Sequence, residues 1–205
     1  MQDSIVQYEN LFASRPFIRG KTPSPFALEA LQYASGKTVL DLGCGEGQDA
    51  IAFAKYGFNV KAIDTSRSAI SHAKDLAQTQ RIKINWLCNN VLDLDTWKGK
   101  YDLIFTDGFL HFFGNDTLRR IIETMQARTH LYGINAIGVF DRRTTKLEQS
   151  ELETWGIHLT SPPIIEALYD RWILLKIDKP ISERGNGEIR GISHWIYKKI
   201  LGTPV

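Results

Sequence analysis

The sequence predicts an α/β fold with a mostly parallel sheet closed by an antiparallel pair, and three observations carry that expectation. Short apolar runs of strand character alternate with segments of helical spacing over most of the 205 residues. The first run ends in a glycine-rich turn, Gly43-Cys44-Gly45-Glu46-Gly47, of the kind that joins a parallel strand to its helix. Near the end of the chain two strand-like runs follow one another across a turn-rich stretch, which suggests antiparallel pairing.

Each element follows from local pattern. Asp3 to Ala13 and Ser24 to Tyr33 read as helices flanking Arg15-Pro16-Phe17-Ile18-Arg19-Gly20-Lys21, a loop rich in charge and aromatic character. Strand-like runs cover Thr38 to Leu42, Asn59 to Asp64, Lys83 to Cys88, Asp102 to Thr106 and Ile134 to Phe140. Between them Ala69, Ile70, Ala73, Leu76 and Ala77 form one helical stripe, with Thr65 or Ser66 placed to cap it. A second stripe, Leu118, Ile121, Ile122 and Met125, has Asn115 or Asp116 as its expected cap. A helix over Ser161 to Asp170, with Pro162 and Pro163 in its first turn, leads to the final runs, Trp172 to Ile177 and Gly191 to Ile200.

Composition narrows the function. A chain of 205 residues with 43% hydrophobic content fits one domain with a full core. The expected division is an N-terminal part over 1–36, a core over 37–141 and a C-terminal part over 142–205. The net charge of +2 gives no broad electrostatic footprint for DNA or an acidic membrane. No apolar run approaches the ~20 residues that span a bilayer, and the N-terminus lacks a leader pattern, so a soluble, cytoplasmic protein is expected. The two cysteines, Cys44 and Cys88, offer neither a disulfide framework nor a zinc cluster.

The glycine turn carries the chemistry. Glycines can take positive φ and let a ligand approach the backbone, while the next helix presents unpaired N–H groups. The dinucleotide fingerprint needs Gly or Ala where this chain has Gln48, which leaves an NAD oxidoreductase as a weaker reading. The pattern is instead D-x-G-x-G-x-G, beginning at Asp41. Asp64 ends the second strand about 20 residues after the glycine turn, where a carboxylate can accept from both ribose hydroxyls of a nucleoside. Asp41 can orient a positively charged amino group. In these residues the chain resembles the class I S-adenosylmethionine-dependent methyltransferases.

That resemblance implies a Rossmann-like, doubly wound, seven-stranded sheet with N-terminal helices lidding the cofactor S-adenosyl-L-methionine. It places Asp41, Gly43, Cys44, Gly45, Gly47, Asp64, Thr65, Asn90, Val91, Thr106 and Arg19 at the cofactor. Asn90 stands where the family has an acid for the adenine amino group, so the acceptor remains but its charge is lost. Residues at the end of the fourth strand should lie beside the transferable methyl, making Asp107 and His111 candidates for chemistry, with His194 a third. A turn role for Asp107 and a packed core role for His111 are the alternatives. Phe17, Arg142, Arg184 and Arg190 are the candidate acceptor contacts, with Arg143 beside Arg142; for Arg184 and Arg190 the competing reading is an exposed hairpin tip.

Two other chemistries are disfavoured. Asp107 with Asp141 could mimic the magnesium dyad of catechol-type enzymes, but Arg142 brings a cation where an amide is wanted, so no metal is expected. The segment Thr106-Asp107-Gly108-Phe109 lacks the Asp/Asn-Pro-Pro-aromatic loop of DNA amino-methyltransferases. Arg19 to Pro23, the Asn115 to Met125 helix, the Ile165 to Trp172 segment and Trp195-Ile196-Tyr197-Lys198-Lys199 are most similar to the tellurite-resistance and thiopurine-type small-molecule group. Leu131-Tyr132-Gly133-Ile134-Asn135 departs from that group's Lys-Pro-Gly-Gly turn. The implied activity is in-line methyl transfer to a small molecule, with soft thiol, halide or metalloid nucleophiles favoured over oxygen or nitrogen. Modification of RNA or protein, and a cofactor-binding module without turnover, are the alternatives. A monomer or homodimer is expected.

Overall fold

The computed structural model describes residues 2–93, 97–141, 143–144, 155–159, 162–183 and 189–201. Its sheet is organised by β1 (Thr38–Leu42), a run apolar on both faces. Such a strand must be covered on both sides. It pairs in parallel with β2 (Asn59–Asp64) on one side and β4 (Tyr101–Asp107) on the other, and β2 pairs with β3 (Asn85–Cys88). Beyond β4 lie β5 (Thr129–Phe140), parallel, then β8 (Ile189–Lys198), antiparallel to it, and the edge strand β6 (Ile173–Asp178). The path is β3-β2-β1-β4-β5-β8-β6, with a short β7 (Ile181–Glu183) pairing with β8 off it. The seven expected strands and the antiparallel close are therefore present. β7 is an addition: three residues beside a turn-rich stretch carry no alternation that the sequence could display.

Helices cover both faces. On one side α5 (Asn115–Arg128) lays Leu118, Ile121, Ile122 and Met125 against Leu40, Leu42, Ile104 and Ile137. α6 (Pro162–Leu168) adds Ile165 to that layer. On the other side α2 (Pro25–Tyr33) and α3 (Gln48–Lys55) bury Phe26, Ala27, Ala50 and Phe53 against Val39, Ala62, Leu103 and Phe105. α4 (Arg67–Thr79) begins at Ser66, whose side chain accepts from the Ala69 N–H, and its whole predicted stripe is buried. α5 differs from expectation: Gly114 is its N-cap without a side-chain bond, so both expected caps, Asn115 and Asp116, lie inside the helix. Asp116 instead contributes charge to its first turn.

α1 (Gln2–Ser14) lies against α4, and Glu9 anchors it there by accepting from the hydroxyls of Ser66 (2.6 Å) and Ser68 (2.7 Å). The chain runs outward from β1 to β3 and returns to β4 beside β1. A crevice opens at such a reversal, past the carboxyl ends of the strands. No described helix is long and apolar enough to cross a membrane.

Candidate functional site

A cavity of about 360 Å³ occupies that crevice, within the range typical of ligand pockets. The glycine turn forms its floor. Gly43, Gly45 and Gly47 all take positive φ, at 71°, 52° and 79°. The N–H groups of Gly43 and Cys44 both donate to the Ile63 carbonyl, which ties the turn to β2. Gly45 donates its N–H to Asp64 Oδ2 at 2.8 Å, and Ser66 donates to Asp64 Oδ1 at 2.9 Å. Asp64 thus shapes the turn as well as facing the cavity, and its remaining lone pairs are what a ligand hydroxyl would use.

The cavity is strongly acidic. Asp41, Asp49, Asp64 and Asp107 all line it. Asp41 is 2% exposed and its Oδ2 has no hydrogen-bond partner. Burial, and then the charges of Asp49, Asp64 and Asp107, push its carboxyl well above the ordinary range. Asp64 is raised as well, chiefly by burial, against the pull of the Ser66, Gly45 and Thr65 N–H groups and of Arg19. Buried carboxylates held this close together want a cation between them. Among the described residues Arg19 is the basic one lining the cavity, over Gly108, where an added Cβ would sit 3.2 Å from the guanidinium. Cys44 lines it too, its thiol raised by burial and by Asp41.

The N-terminal segment covers this cavity through Ile5, Tyr8, Phe12, Thr22 and Pro23. Carboxylates fasten it. Glu46, buried inside the glycine turn, accepts from the N–H groups of Phe17 and of Ile18 (2.9 Å) and contacts His72 Nδ1 at 3.0 Å. Asp49 accepts from the N–H of Ser24 at 2.6 Å, next to the first turn of α2. Asp49 is pushed up to about 6, by burial first and by Asp107, while Ser24 and Arg19 pull it back. Its folded-state value lies above the ordinary 3.8, so the unliganded fold holds extra proton and loses stability as pH rises from 3.8 to about 6. The urea midpoint should fall over that interval. Asp49→Asn should flatten the decline, and an unchanged slope would show that the proton resides elsewhere.

The structure brings together Asp41, Gly43, Cys44, Gly45, Asp64, Thr65, Asn90, Asp107 and Arg19 around one cavity. Asn90 also holds a turn, its Oδ1 accepting from the Leu92 N–H at 2.9 Å. Other expected residues lie elsewhere. Gly47 supports the floor from behind, packed on Trp86 and Ala73. Val91 and Thr106 are buried away from the lining. Phe17 turns toward α4 and His72, with Lys21 over its ring, because Glu46 holds its backbone down on the turn. His111 is wholly buried between the rings of Phe112 and Phe140 and does not line the cavity, the packed role that its aromatic flanks also suggested. His194 stands behind Asp107, its Nε2 3.5 Å from Oδ1.

Arg142 and Arg184 lie outside the described residues, and Arg190 is described in its backbone alone, opposite Ser182. Asp141, the other half of the imagined magnesium dyad, is gripped by Arg143 and by the Ser193 hydroxyl at 2.6 Å. Burial would raise its carboxyl, but these donors together hold it below the ordinary range. Sequence reading missed Glu46, Gln48 and Asp49 as site residues. Gln48 lines the cavity with a buried, unpartnered Oε1, and its only sequence signal was its place in the first turn after the glycines.

Residues 39–131 match the family described as the methyltransferase domain. That segment is similar to a methyltransferase domain. The N-methyltransferase NodS of Bradyrhizobium japonicum WM9, solved with S-adenosyl-l-homocysteine, superposes with a TM-score of 0.73 at 18% identity, covering 96% of this chain and 98% of that one. The chain therefore shares the fold of that protein, a mostly parallel sheet with antiparallel C-terminal strands. In sequence, hemagglutinin 1 of Eikenella corrodens is 30% identical over 109 residues, 53% of this chain and 36% of that protein. A ubiquinone biosynthesis O-methyltransferase of Coxiella burnetii is 41% identical over 69 residues, 34% of this chain and 30% of that protein. The chain spans about a third of the length of the curated relatives it matches.

Proposed function

We propose that this protein is an S-adenosylmethionine-dependent methyltransferase acting on a small molecule. The observation that carries this reading is the buried, unpartnered Oδ2 of Asp41 inside a cavity lined by Asp49, Asp64 and Asp107. That environment fits a ligand with an ammonium group and a sulfonium. Asp41 and Gln48 would accept from the amino group, Arg19 would hold the carboxylate, and Asp64 would accept from the ribose hydroxyls. Asn90 and Thr65 would meet the adenine end. When bound, the cofactor supplies a methyl already activated by a positive sulfur. The protein's own task is then to align an acceptor and exclude water, which the covering Tyr8 and Phe12 serve. A lidded cavity of about 360 Å³ favours a small acceptor over RNA or a protein surface. The O- and N-methyltransferase names among the similar proteins support acceptors of that kind.

Calorimetry with S-adenosylhomocysteine and with NAD tests the reading. Binding of the first and not the second is expected. Asp64→Ala should weaken S-adenosylhomocysteine by about 2–3 kcal/mol, the worth of charge-assisted bonds to the ribose. It should also loosen the glycine turn, whose Gly45 N–H it leaves unpaired. Tight NAD binding without nucleoside-sulfide binding sinks the proposal.

A further inference from the structure

β4, β5 and β8 lie side by side, and Asp107, Gly138 and His194 fall opposite one another in their ladders. Residues opposite in register share a face of the sheet. The middle position carries no side chain, so the carboxylate and the imidazole meet across it, with Nε2 3.5 Å from Oδ1. A Cβ at Gly138 would lie 2.2 Å from Asp107 Oδ1 and 2.8 Å from His194 Cδ2. Glycine is thus required for the pair to exist. The far side of the imidazole is fixed by Phe26, whose ring stacks on it at 4.1 Å and 3°. Asp107 lines the cavity and His194 does not.

The geometry points to Asp107 as the general base of the reaction and to His194 as the positioning residue that aims it, which makes the acceptor a hydroxyl or amine. This rests on the methyltransferase reading above. The acceptor's oxygen or nitrogen forms a bond to the methyl carbon, the carbon–sulfur pair returns to sulfur, and the acceptor's proton passes to the Asp107 carboxylate and then to solvent. Such a base is needed only where the nucleophile carries a proton to lose. A soft anion needs none, and it would have to enter a cavity lined by four aspartates against the single positive charge of Arg19 among the described lining residues. The groups facing Asp107 are Asp41 from β1, Asp49 from α3 and His194 from β8, with Arg19 of the covering loop over the neighbouring Gly108.

Release of S-adenosylhomocysteine is measured with S-adenosylmethionine and a panel of phenols, primary amines, thiols and iodide, beside calorimetric binding of S-adenosylhomocysteine as a control for the fold. Turnover with a phenol or an amine is expected. Asp107→Asn should lower kcat at least 100-fold, within the span of general base catalysis, while S-adenosylhomocysteine still binds. His194→Asn should lower kcat about 10-fold, leave the cofactor's KM unchanged and move the acidic limb of the kcat–pH profile upward, since the ionised base loses its imidazole neighbour. Thiol or iodide turnover that survives Asp107→Asn overturns the inference, as does an unmoved pH profile in His194→Asn. Binding without turnover of any acceptor overturns it too. Absence of S-adenosylhomocysteine binding by the unaltered protein overturns the reading beneath it.

Discussion

Asp41→Asn should weaken S-adenosylhomocysteine binding by roughly 10- to 150-fold while making the unliganded protein more stable, with the affinity loss set by one charge-assisted bond. The two effects have one origin. The carboxyl is buried at the end of β1, its Oδ2 lacks a partner, and three further aspartates press on it. A group whose folded value is raised in this way costs the fold stability above its unfolded value, and the cost grows with pH. An amide of the same shape carries no such penalty. The gain is expected at about 1 kcal/mol near neutral pH, or roughly 2–4 °C in a chain of this size, and it should shrink toward pH 4. Thermal melts at two pH values and one titration with S-adenosylhomocysteine decide the matter. A variant that loses stability as well as affinity would mean that Asp41 serves the β1 turn and not the ligand.

The same opposition explains what could be read from the sequence. β1, β2, β4 and the two helical stripes announce themselves because burial on one or two faces imposes a period on apolar residues. Asp41, the glycines and Asp64 are legible for a related reason: their spacing is dictated by one turn, tied to β2 through the Gly45 N–H and Asp64. Glu46 and Asp49 were not legible. Their work is to accept backbone N–H groups of Phe17, Ile18 and Ser24, and such bonds depend on how a distant loop folds back. Phe17 was misplaced by the same blindness, since Glu46 rather than its own aromaticity decides where it points. His194 became interpretable only when register set it beside Asp107 across a glycine, a relation between three strands that no local pattern encodes.

The glycine turn allows the sharpest division between holding the fold and holding the ligand. Gly47 is the N-cap of α3, with φ 79° and ψ 12°, and a methyl there would meet Trp86 at 2.5 Å and the Ala73 Cβ at 2.8 Å. Gly47→Ala should therefore cost about 2–4 kcal/mol of stability, from left-handed strain of about 1–2 kcal/mol plus overpacking against α4. Gly45 is different. It lies on the cavity side, where the nearest atom to an added Cβ is Phe12 Cζ at 3.8 Å. Gly45→Ala carries the same left-handed penalty and no overlap, so about 1 kcal/mol of stability should go while the methyl occupies cavity space beside Asp41 and Asp64. Its larger effect should be on S-adenosylhomocysteine affinity, by tenfold or more at the approximate worth of one lost close contact. Urea melts and calorimetry on both variants separate the two effects. If Gly45→Ala melts early and binds normally, the turn is packed by its second glycine and the ligand approaches from another side. If Gly47→Ala melts normally, Trp86 has room to move, and the helix behind the turn is looser than its contacts imply.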